Sequence, residues 1–160
     1  MSVPGPGTAA MDAETKTKRL DRFERLCREQ GIPVTAQRRV ILATVLDLDD
    51  HPTADQVYDS VANRGLGISR TTVYRTLETL ARTGLITKAC HPGRPVRFDA
   101  RTEIHHHLIC LRCDDMVDIL DEKLNALPIP DTSAFGFEVL DFRVQLRGVC
   151  RRCRHKEGKT

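Results

Sequence analysis

The sequence predicts an α+β chain of two small domains, and three observations support this. The first part of the chain has the apolar periodicity of successive helices and ends in two short alternating segments around a Pro/Gly turn, the pattern of a β-hairpin. The second part alternates apolar and polar residues, as strands do, and carries two C-x-x-C pairs. A length of 160 residues is enough for two such domains.

Four helices are predicted before the hairpin. The first covers residues 15–30, and the second follows Thr35. Thr53 and Ser69 are the expected N-caps of the third and fourth helices, because their side chains can accept hydrogen bonds from the first turn. Gly84 should end the fourth helix. Helices followed by a hairpin make an N-terminal winged helix-turn-helix, a fold that places a helix in the DNA major groove.

The fourth helix carries the side chains that would contact DNA. Its apolar stripe is Val73, Leu77 and Leu80, which leaves arginines and hydroxyl groups on the other faces. Arginine can bind guanine through two hydrogen bonds, and small hydroxyl residues allow close approach to the groove. A surface helix without a ligand would have the same pattern, but the preceding helices and the hairpin favour DNA binding. The predicted contact residues are Ser69, Arg70, Thr71, Thr72, Tyr74 and Arg75.

Charge is unevenly distributed along the chain. Residues 1–98 contain 15 Lys and Arg against 11 Asp and Glu, whereas residues 99–160 contain 10 against 11. The N-terminal part is therefore the candidate for binding a polyanion, although the excess alone does not indicate DNA. No apolar run approaches the roughly 20 residues of a membrane span, and no signal peptide is visible. We expect a cytoplasmic protein with no membrane partner.

Four cysteines have the spacing of a metal site. Cys110 and Cys113 form one C-x-x-C pair, and Cys150 and Cys153 form a second, with 36 residues between the pairs. Each turn directs two thiolates at one ion, and two turns complete the closed tetrahedral shell of structural Zn²⁺. The alternative is a redox C-x-x-C, which follows a strand and opens a helix. Two matched pairs favour zinc, with each pair ending a predicted strand.

A second cluster precedes the first cysteine pair. If residues 105–107 are a strand, His105 and His107 share one face and His106 points to the other. Asp118 lies in the next strand-like segment and Asp99 lies before the histidines. Two imidazoles and two carboxylates suit Fe²⁺, Mn²⁺ or Zn²⁺. Spacing alone is equally compatible with ordinary surface or core histidines.

Six motifs in order carry a family resemblance: VTAQRRVIL, HPTADQVY, TTVYRTLETLARTGLI, RFD, HHHLICLRC and GVCRRC. Over about residues 20–155 the chain resembles the ferric uptake regulator family of metal-dependent repressors. The resemblance implies a homodimer that binds a palindromic double-stranded DNA operator, with a C-terminal α/β dimerisation domain and no small organic ligand. The implied organisation is a flexible tail (1–14), a winged-helix DNA-binding domain (15–98), a hinge (99–104), a dimerisation and metal-binding domain (105–155) and a tail (156–160).

The resemblance also implies two metal sites. The four cysteines match the family's structural zinc site. The regulatory Fe²⁺ or Mn²⁺ site, which would join the two domains, matches His51, Asp99, His105, His107 and Asp118. Iron-sensing members tend to have Glu at the positions of Asp99 and Asp118, whereas peroxide-sensing repressors have Asp at both. The resemblance therefore favours a peroxide-responsive repressor.

Three alternatives stay open. An iron- or manganese-uptake regulator of the same family is the first. A zinc-uptake regulator is the second, but such members tend to use a Cys ligand near the hinge, where this chain has only Cys90. The third is a metalloenzyme that uses the His/Asp centre, although the sequence contains no separate general base and no Gly-rich phosphate loop.

Two departures from the family pattern are visible. A further metal site of iron-sensing members would match Ile104, Asn125 and Phe142, which cannot act as its ligands. A short helix is predicted near residues 121–127, but Pro128 and Pro130 interrupt it because proline removes helix hydrogen bonds. The residues that follow are predicted to form a loop and to alter the dimer surface.

Overall fold

The computed structural model describes residues 11–48, 51–90, 93–101 and 103–157, which form two compact units. We call residues 11–101 the helical unit and residues 103–157 the sheet unit. Among the described residues, no helix is both long and apolar enough to cross a membrane. The helical unit contains α1 (Ala13–Glu29), α2 (Ala36–Leu48), α3 (Ala54–Ala62), α4 (Arg70–Arg82), β1 (Thr87–Ala89) and β2 (Arg97–Asp99).

Side-chain caps determine where α3 and α4 begin, as the sequence predicts. The Thr53 hydroxyl accepts a hydrogen bond from the Gln56 N–H, and the Gln56 side chain accepts one from the Thr53 N–H, which is a complete capping box. The Ser69 hydroxyl accepts from the Thr72 N–H at 3.1 Å. At the end of α4, Gly84 has a φ of 72°, a left-handed conformation that glycine adopts without a steric penalty.

The helical unit is built around one apolar core. Each of its four helices and its hairpin contributes a buried side chain, namely Phe23, Leu42, Val57, Leu77 and Phe98, all at most 4% exposed. β1 and β2 pair antiparallel with Thr87 opposite Asp99. This arrangement confirms the predicted winged helix-turn-helix. The middle of the predicted turn, residues 91 and 92, lies outside the described residues.

The sheet unit has three strands in the order β4-β3-β5. β3 pairs antiparallel with β4 and parallel with β5. The elements are β3 (His106–Cys110), β4 (Met116–Ile119), α5 (Glu122–Asn125), a 3₁₀ turn (Ser133–Phe135), β5 (Gln145–Gly148) and α6 (Arg151–Glu157). The short α5 begins after its N-cap Asp121, near the predicted start. A small mixed sheet with short helices confirms the predicted α+β class.

Parts of the sheet unit differ from the sequence prediction. The apolar alternation predicts a strand over residues 137–150, but only Gln145–Gly148 forms one. Residues 137–143 pair with no strand among the described residues, and an unpaired segment cannot form a ladder. The second cysteine pair does not end a strand. It opens α6, because the Cys150 carbonyl accepts hydrogen bonds from the N–H groups of Cys153 and Arg154.

Three predicted tail or hinge segments also contain regular structure. Ala13 and Glu14, the last residues of the predicted N-terminal tail, are the first residues of α1. Asp99, the first residue of the predicted hinge, is the last residue of β2. Lys156 and Glu157, the first residues of the predicted tail, belong to α6. In each case these residues extend a neighbouring helix or strand, whose backbone hydrogen bonds hold them. Residues 1–10, 102 and 158–160 of the predicted tails and hinge lie outside the described residues.

Candidate metal centres and nucleic-acid interface

The four cysteines of the sheet unit lie together. Their Sγ atoms are all within 4.8 Å of one another, and the Sγ atoms of Cys113 and Cys150 are 3.7 Å apart. Four sulfurs bound to one zinc ion at about 2.3 Å in a tetrahedron lie about 3.8 Å from each other. The end of β3 supplies Cys110, and the start of α6 supplies Cys150 and Cys153. The donor set and its dimensions fit a structural zinc ion.

The protein environment prepares part of this cluster for a cation. Burial raises the pKa of the Cys110 thiol, but backbone N–H groups, led by that of Cys150, outweigh burial and lower the pKa to about 6. Burial also opposes ionisation of Cys113, whose pKa is lowered because the Arg152 guanidinium donates to its Sγ at 3.3 Å. The hydrogen bond to Cys113 raises the pKa of Cys153 to about 12. Cys153 can be a thiolate at neutral pH only when a cation balances its charge.

A second set of donor atoms in the sheet unit lies on β3, on the residue just before it and on β4. The Nε2 atoms of His105 and His107 are 3.0 Å apart, and each is 3.7 Å from Oδ1 of Asp118. The strand register places His107 directly opposite Asp118. Two ligands of one ion at about 2.1 Å in octahedral geometry lie about 3 Å apart. The N,N,O set therefore has the chemistry and approximate spacing of one face of a divalent metal site.

The orientation of His105 favours metal binding through Nε2. Its Nδ1 lies 2.7 Å from the carbonyl oxygen of Glu103, which can only accept a hydrogen bond. Nδ1 must then carry the proton, and the neutral ring has its lone pair on Nε2. A histidine that ligates a metal commonly donates its other N–H to a carbonyl in this way.

His51 and Asp99 lie together in the helical unit. Nε2 of His51 is 3.8 Å from Oδ2 of Asp99, and both side chains are buried. The hairpin holds them: Arg97 donates to the His51 carbonyl at 2.9 Å, and the other Asp99 oxygen accepts from the Arg101 N–H at 2.7 Å. His51 has a φ of 49°, which is unusual for a residue other than glycine and is often found at functional sites.

His106 points away from these donors and is fully buried in a different environment. Its Nδ1 accepts a hydrogen bond from the Val144 N–H at 3.0 Å, so Nε2 carries the proton and donates to Oδ1 of Asn125 at 2.9 Å. The Phe142 ring lies beside it, with ring centroids 6.0 Å apart. Asn125 and Phe142 are two of the positions that the sequence analysis judged unable to form a further metal site. Here they surround a histidine whose two nitrogens both make hydrogen bonds.

The six predicted DNA-contact residues all lie at the N-terminal end of α4. Ser69, Arg70, Thr71, Tyr74 and Arg75 are exposed, whereas Thr72 is half-buried. The Ser69 and Thr72 hydroxyls, 2.9 Å apart, take part in the helix cap. Arg70 and Tyr74 both contact Asp55 of α3, a residue that the sequence analysis did not identify. No local sequence signal could have found Asp55, because the contact joins two helices.

A polar depression lies between the start of α2 and the exposed side of α4. Two arginines and several hydroxyl groups surround it, which is the lining that a DNA phosphate requires. Thr35 caps the Arg38 N–H at 3.2 Å at its α2 edge. The lining residues are Thr35, Gln37, Arg38, Thr72, Arg75, Thr76 and Thr79.

Comparison with known proteins gives consistent matches. The model of the ferric uptake regulator family matches residues 29–147. The peroxide-responsive repressor PerR of Staphylococcus aureus strain Mu50 is 32% identical over 129 residues, which cover 81% of this chain and 87% of the relative.

Three solved structures are also similar. The ferric uptake regulator of Francisella tularensis with iron has a TM-score of 0.67 and 27% identity, covering 78% of this chain and 96% of that one. A zinc-bound manganese uptake regulator has a TM-score of 0.62 and 31% identity, covering 79% and 97%. The Helicobacter pylori ferric uptake regulator has a TM-score of 0.72 and covers 90% and 97%, but at 19% identity it supports the fold alone.

Proposed function

Because the chain belongs to the ferric uptake regulator family, we propose that it is a repressor whose DNA binding depends on a regulatory metal and is released by peroxide. Members of this family are metal-responsive, dimeric, DNA-binding transcriptional regulators and not enzymes. These general properties follow from membership of the family. The palindromic operator, the cytoplasmic location, the absence of a small organic effector and the peroxide response are our proposals.

The observation that carries the proposal is the convergence of His105, His107 and Asp118 in the sheet unit. Three donors leave a divalent Fe²⁺ or Mn²⁺ ion with open coordination positions. We propose that His51 and Asp99 of the helical unit fill two of them, so that one ion has ligands in both units. Bound metal would then favour one orientation of the units and, in a dimer, one spacing of the two α4 helices.

The zinc site would have a different role from this regulatory site. Cys110, Cys113, Cys150 and Cys153 belong to one unit and would hold its sheet together. A closed shell of four thiolates has no position for a further ligand, so this ion would be structural. Regulation then rests on the His/Asp set, whose ligands are neutral or carboxylate and exchange metal more readily.

The choice of carboxylates supports the peroxide response. Asp99 and Asp118 match the residues of peroxide-sensing members, and the Staphylococcus aureus relative is a peroxide-responsive repressor. Bound Fe²⁺ would supply the redox chemistry through which H₂O₂ oxidises a ligand histidine. We propose that His51 or His105 is oxidised by two electrons and gains one oxygen atom of H₂O₂, while the other oxygen leaves as water. The oxidised ring is a poorer nitrogen ligand, which weakens the site.

Mass spectrometry tests this response directly. The zinc-containing protein is loaded with Fe²⁺ or with Mn²⁺ and treated with a low concentration of H₂O₂. We expect the Fe²⁺ form to gain the mass of one oxygen on the peptide with His51 or His105 and to release operator DNA, while the Mn²⁺ form stays unmodified. An Fe²⁺ form that is unmodified and keeps its DNA overturns the peroxide proposal.

A matched pair of variants separates peroxide sensing from metal binding. Asp118→Glu keeps the charge but extends the ligand, so it should keep Mn²⁺-dependent DNA binding and lose histidine oxidation. Asp141→Glu makes the same change at an exposed residue paired with Arg143 and should behave as the parent protein. Equal oxidation of both variants contradicts the role given to Asp118.

The repressor proposal itself has a simpler test. With Mn²⁺ added, the protein should select a palindromic duplex from a random pool and bind it with strong salt dependence. Binding all duplexes equally would contradict it. A manganese-uptake regulator is the second candidate, favoured by the 31% identity to a structure of that kind, and it predicts metal-dependent repression that H₂O₂ leaves intact.

A further inference from the structure

Asp55 of α3 binds two predicted DNA-contact residues of α4 at once. The Arg70 guanidinium forms an ion pair with Oδ1 of Asp55, and the Tyr74 hydroxyl donates to the same oxygen at 3.0 Å. Cζ of Arg70 lies over the Tyr58 ring, 4.7 Å from its centre. The cluster therefore orders one arginine and one tyrosine on the surface proposed to contact DNA.

This cluster lies where DNA would compete for it. Arg70 is the first residue of α4, and the first residues of a recognition helix are those that reach the groove. The side chains of both Asp55 and Arg70 are 56% exposed. A guanidinium binds carboxylate and phosphate through the same N–H groups, so Oδ1 of Asp55 occupies a donor that a DNA phosphate would use.

Arg75 of the same helix provides the contrast. It is exposed, and within the described part of the chain its side chain has no hydrogen bond or ion pair. Arg75 can thus contact a phosphate without first losing a partner. Before DNA binds, Arg70 is therefore paired with Asp55, whereas Arg75 on the same helix is not.

We propose that Asp55 is a specificity-determining residue that holds Arg70 in place of a DNA phosphate and so weakens binding to random DNA more than binding to the operator. This inference rests on the proposed DNA-binding function. Binding to random duplexes depends almost entirely on phosphate contacts, and Asp55 removes one such contact by holding Arg70. Binding to the operator also uses base edges, for which an ordered Arg70 and Tyr74 are already positioned.

The contact itself can be monitored without DNA. The hydrogen bond to Asp55 raises the pKa of the Tyr74 phenol above its ordinary value. The chain contains only two tyrosines, so NMR of the phenol rings can follow both, and Tyr58→Phe assigns the signals. In Asp55→Asn we expect the pKa of Tyr74 to fall, which shows that the cluster has been broken.

The main experiment compares two affinities over a range of salt concentrations. Full-length protein with zinc and Mn²⁺ is titrated with its selected operator and with a random duplex of equal length. Asp55→Asn should raise the affinity for random DNA by about three- to tenfold and steepen its salt dependence by about one phosphate contact. Its affinity for the operator should change by less than about twofold, so the specificity ratio falls.

Three controls make the result specific to Arg70. Asp59→Asn removes the same charge from α3 but leaves the Asp55–Arg70 pair, and it should not change the ratio. In an Arg70→Ala background, Asp55→Asn should no longer raise the affinity for random DNA. In an Arg75→Ala background, the rise should equal that in the parent protein, because the two sites are independent.

The outcomes separate this inference from the function on which it rests. If the parent protein prefers no duplex, the proposed function fails. If the parent prefers its operator but Asp55→Asn keeps the same ratio and salt dependence after the pKa of Tyr74 has fallen, this inference alone is wrong. If Asp55→Asn does not fold, Asp55→Ser replaces it, since serine is favoured at helix starts, and the same ratio test applies.

Discussion

The two units of the chain bury different kinds of residue. In the helical unit the core is apolar and continuous, with large side chains such as Phe23, Ile41 and Leu80 almost completely buried. In the sheet unit the described buried side chains are mostly polar or metal-binding, and only Ile109 and Met116 are buried ordinary apolar residues. Burial of apolar surface is the dominant stabilising contribution to folding. The helical unit therefore has its own source of stability, whereas we propose that the sheet unit relies on a bound metal and on a second chain.

The surface of the sheet unit leads to the same conclusion. Leu140, Phe135 and Phe137 are 88%, 77% and 72% exposed, in the segment that follows the two prolines. Large apolar side chains exposed close together in one segment are typical of surfaces that another chain covers. Since family members are dimers, we expect a second copy to cover part of this segment and to make the stability of the sheet unit depend on protein concentration.

Removing zinc should produce the largest difference in stability between the two units. Zn²⁺ binding contributes on the order of 10 kcal/mol to small domains that it organises. Chelation, or the Cys113→Ser substitution, should unfold the sheet unit and leave the amides of α1 to α4 protected in hydrogen exchange. Cys90→Ser, at an exposed thiol outside the cluster, is the control and should change neither unit. Loss of protection in both units would show that the helical unit is not independently stable.

A large-to-small substitution in the helical unit should act in the same way with or without zinc. Leu77 is fully buried, and Leu77→Ala should lower the free energy of unfolding of that unit by about 2–5 kcal/mol through the cavity it leaves. Leu108 of β3 is 45% exposed, and Leu108→Ala should cost less than about 1 kcal/mol in the zinc-loaded protein. Denaturant unfolding measures both effects, and a larger loss for Leu108→Ala would reveal burial by a partner chain.

Loss of the His106 partner should weaken the sheet unit without removing its metal. In Asn125→Ala the buried Nε2–H of His106 loses its acceptor, which should cost about 1–2 kcal/mol. Thermal unfolding and the zinc content of the purified variant test this. Asn63→Ala, at the exposed C-cap of α3, is the matched control and should leave the sheet unit unchanged. A drop in zinc content would contradict the separation of the two sites.

Acid should remove one small stabilising contribution that belongs to the helical unit. Partial burial raises the pKa of Asp47, but hydrogen bonds and positive charges from Lys16 and Arg64 outweigh burial and lower this pKa below 3.8. Because the pKa of Asp47 is lower in the folded than in the unfolded state, the ion pairs stabilise the protein at pH values above the unfolded-state pKa. This stabilisation is lost as the pH falls through the folded-state pKa. Because these side chains are 29–45% exposed, we expect Asp47→Asn to cost at most about 0.5 kcal/mol at pH 7 and nothing below about pH 3. An equal loss at both pH values would rule out the ion pairs as the cause.

Local patterns were enough to predict much of this molecule. The caps at Thr53 and Ser69 act within one helical turn, so their sequence signal and their structural effect coincide. The C-x-x-C pairs also act locally, since each turn brings two sulfurs together. The prediction of a strand over residues 137–150 was wrong for most of that range. A strand requires a partner, and β3 pairs with only four of these residues, 145–148.

Local sequence patterns predicted the four helices, the hairpin and the two cysteine pairs, because these depend on periodicity, capping and short-range geometry. They also identified which residue types could bind a metal. Which of these residues meet depends on packing between elements: His51 lies beside Asp99, His107 beside Asp118, and His106 beside Asn125 instead of a metal. The same packing brings Asp55 to Arg70 and not to Arg75. Such contacts join residues that are distant in sequence, and packing between elements, which no local pattern encodes, sets their distances.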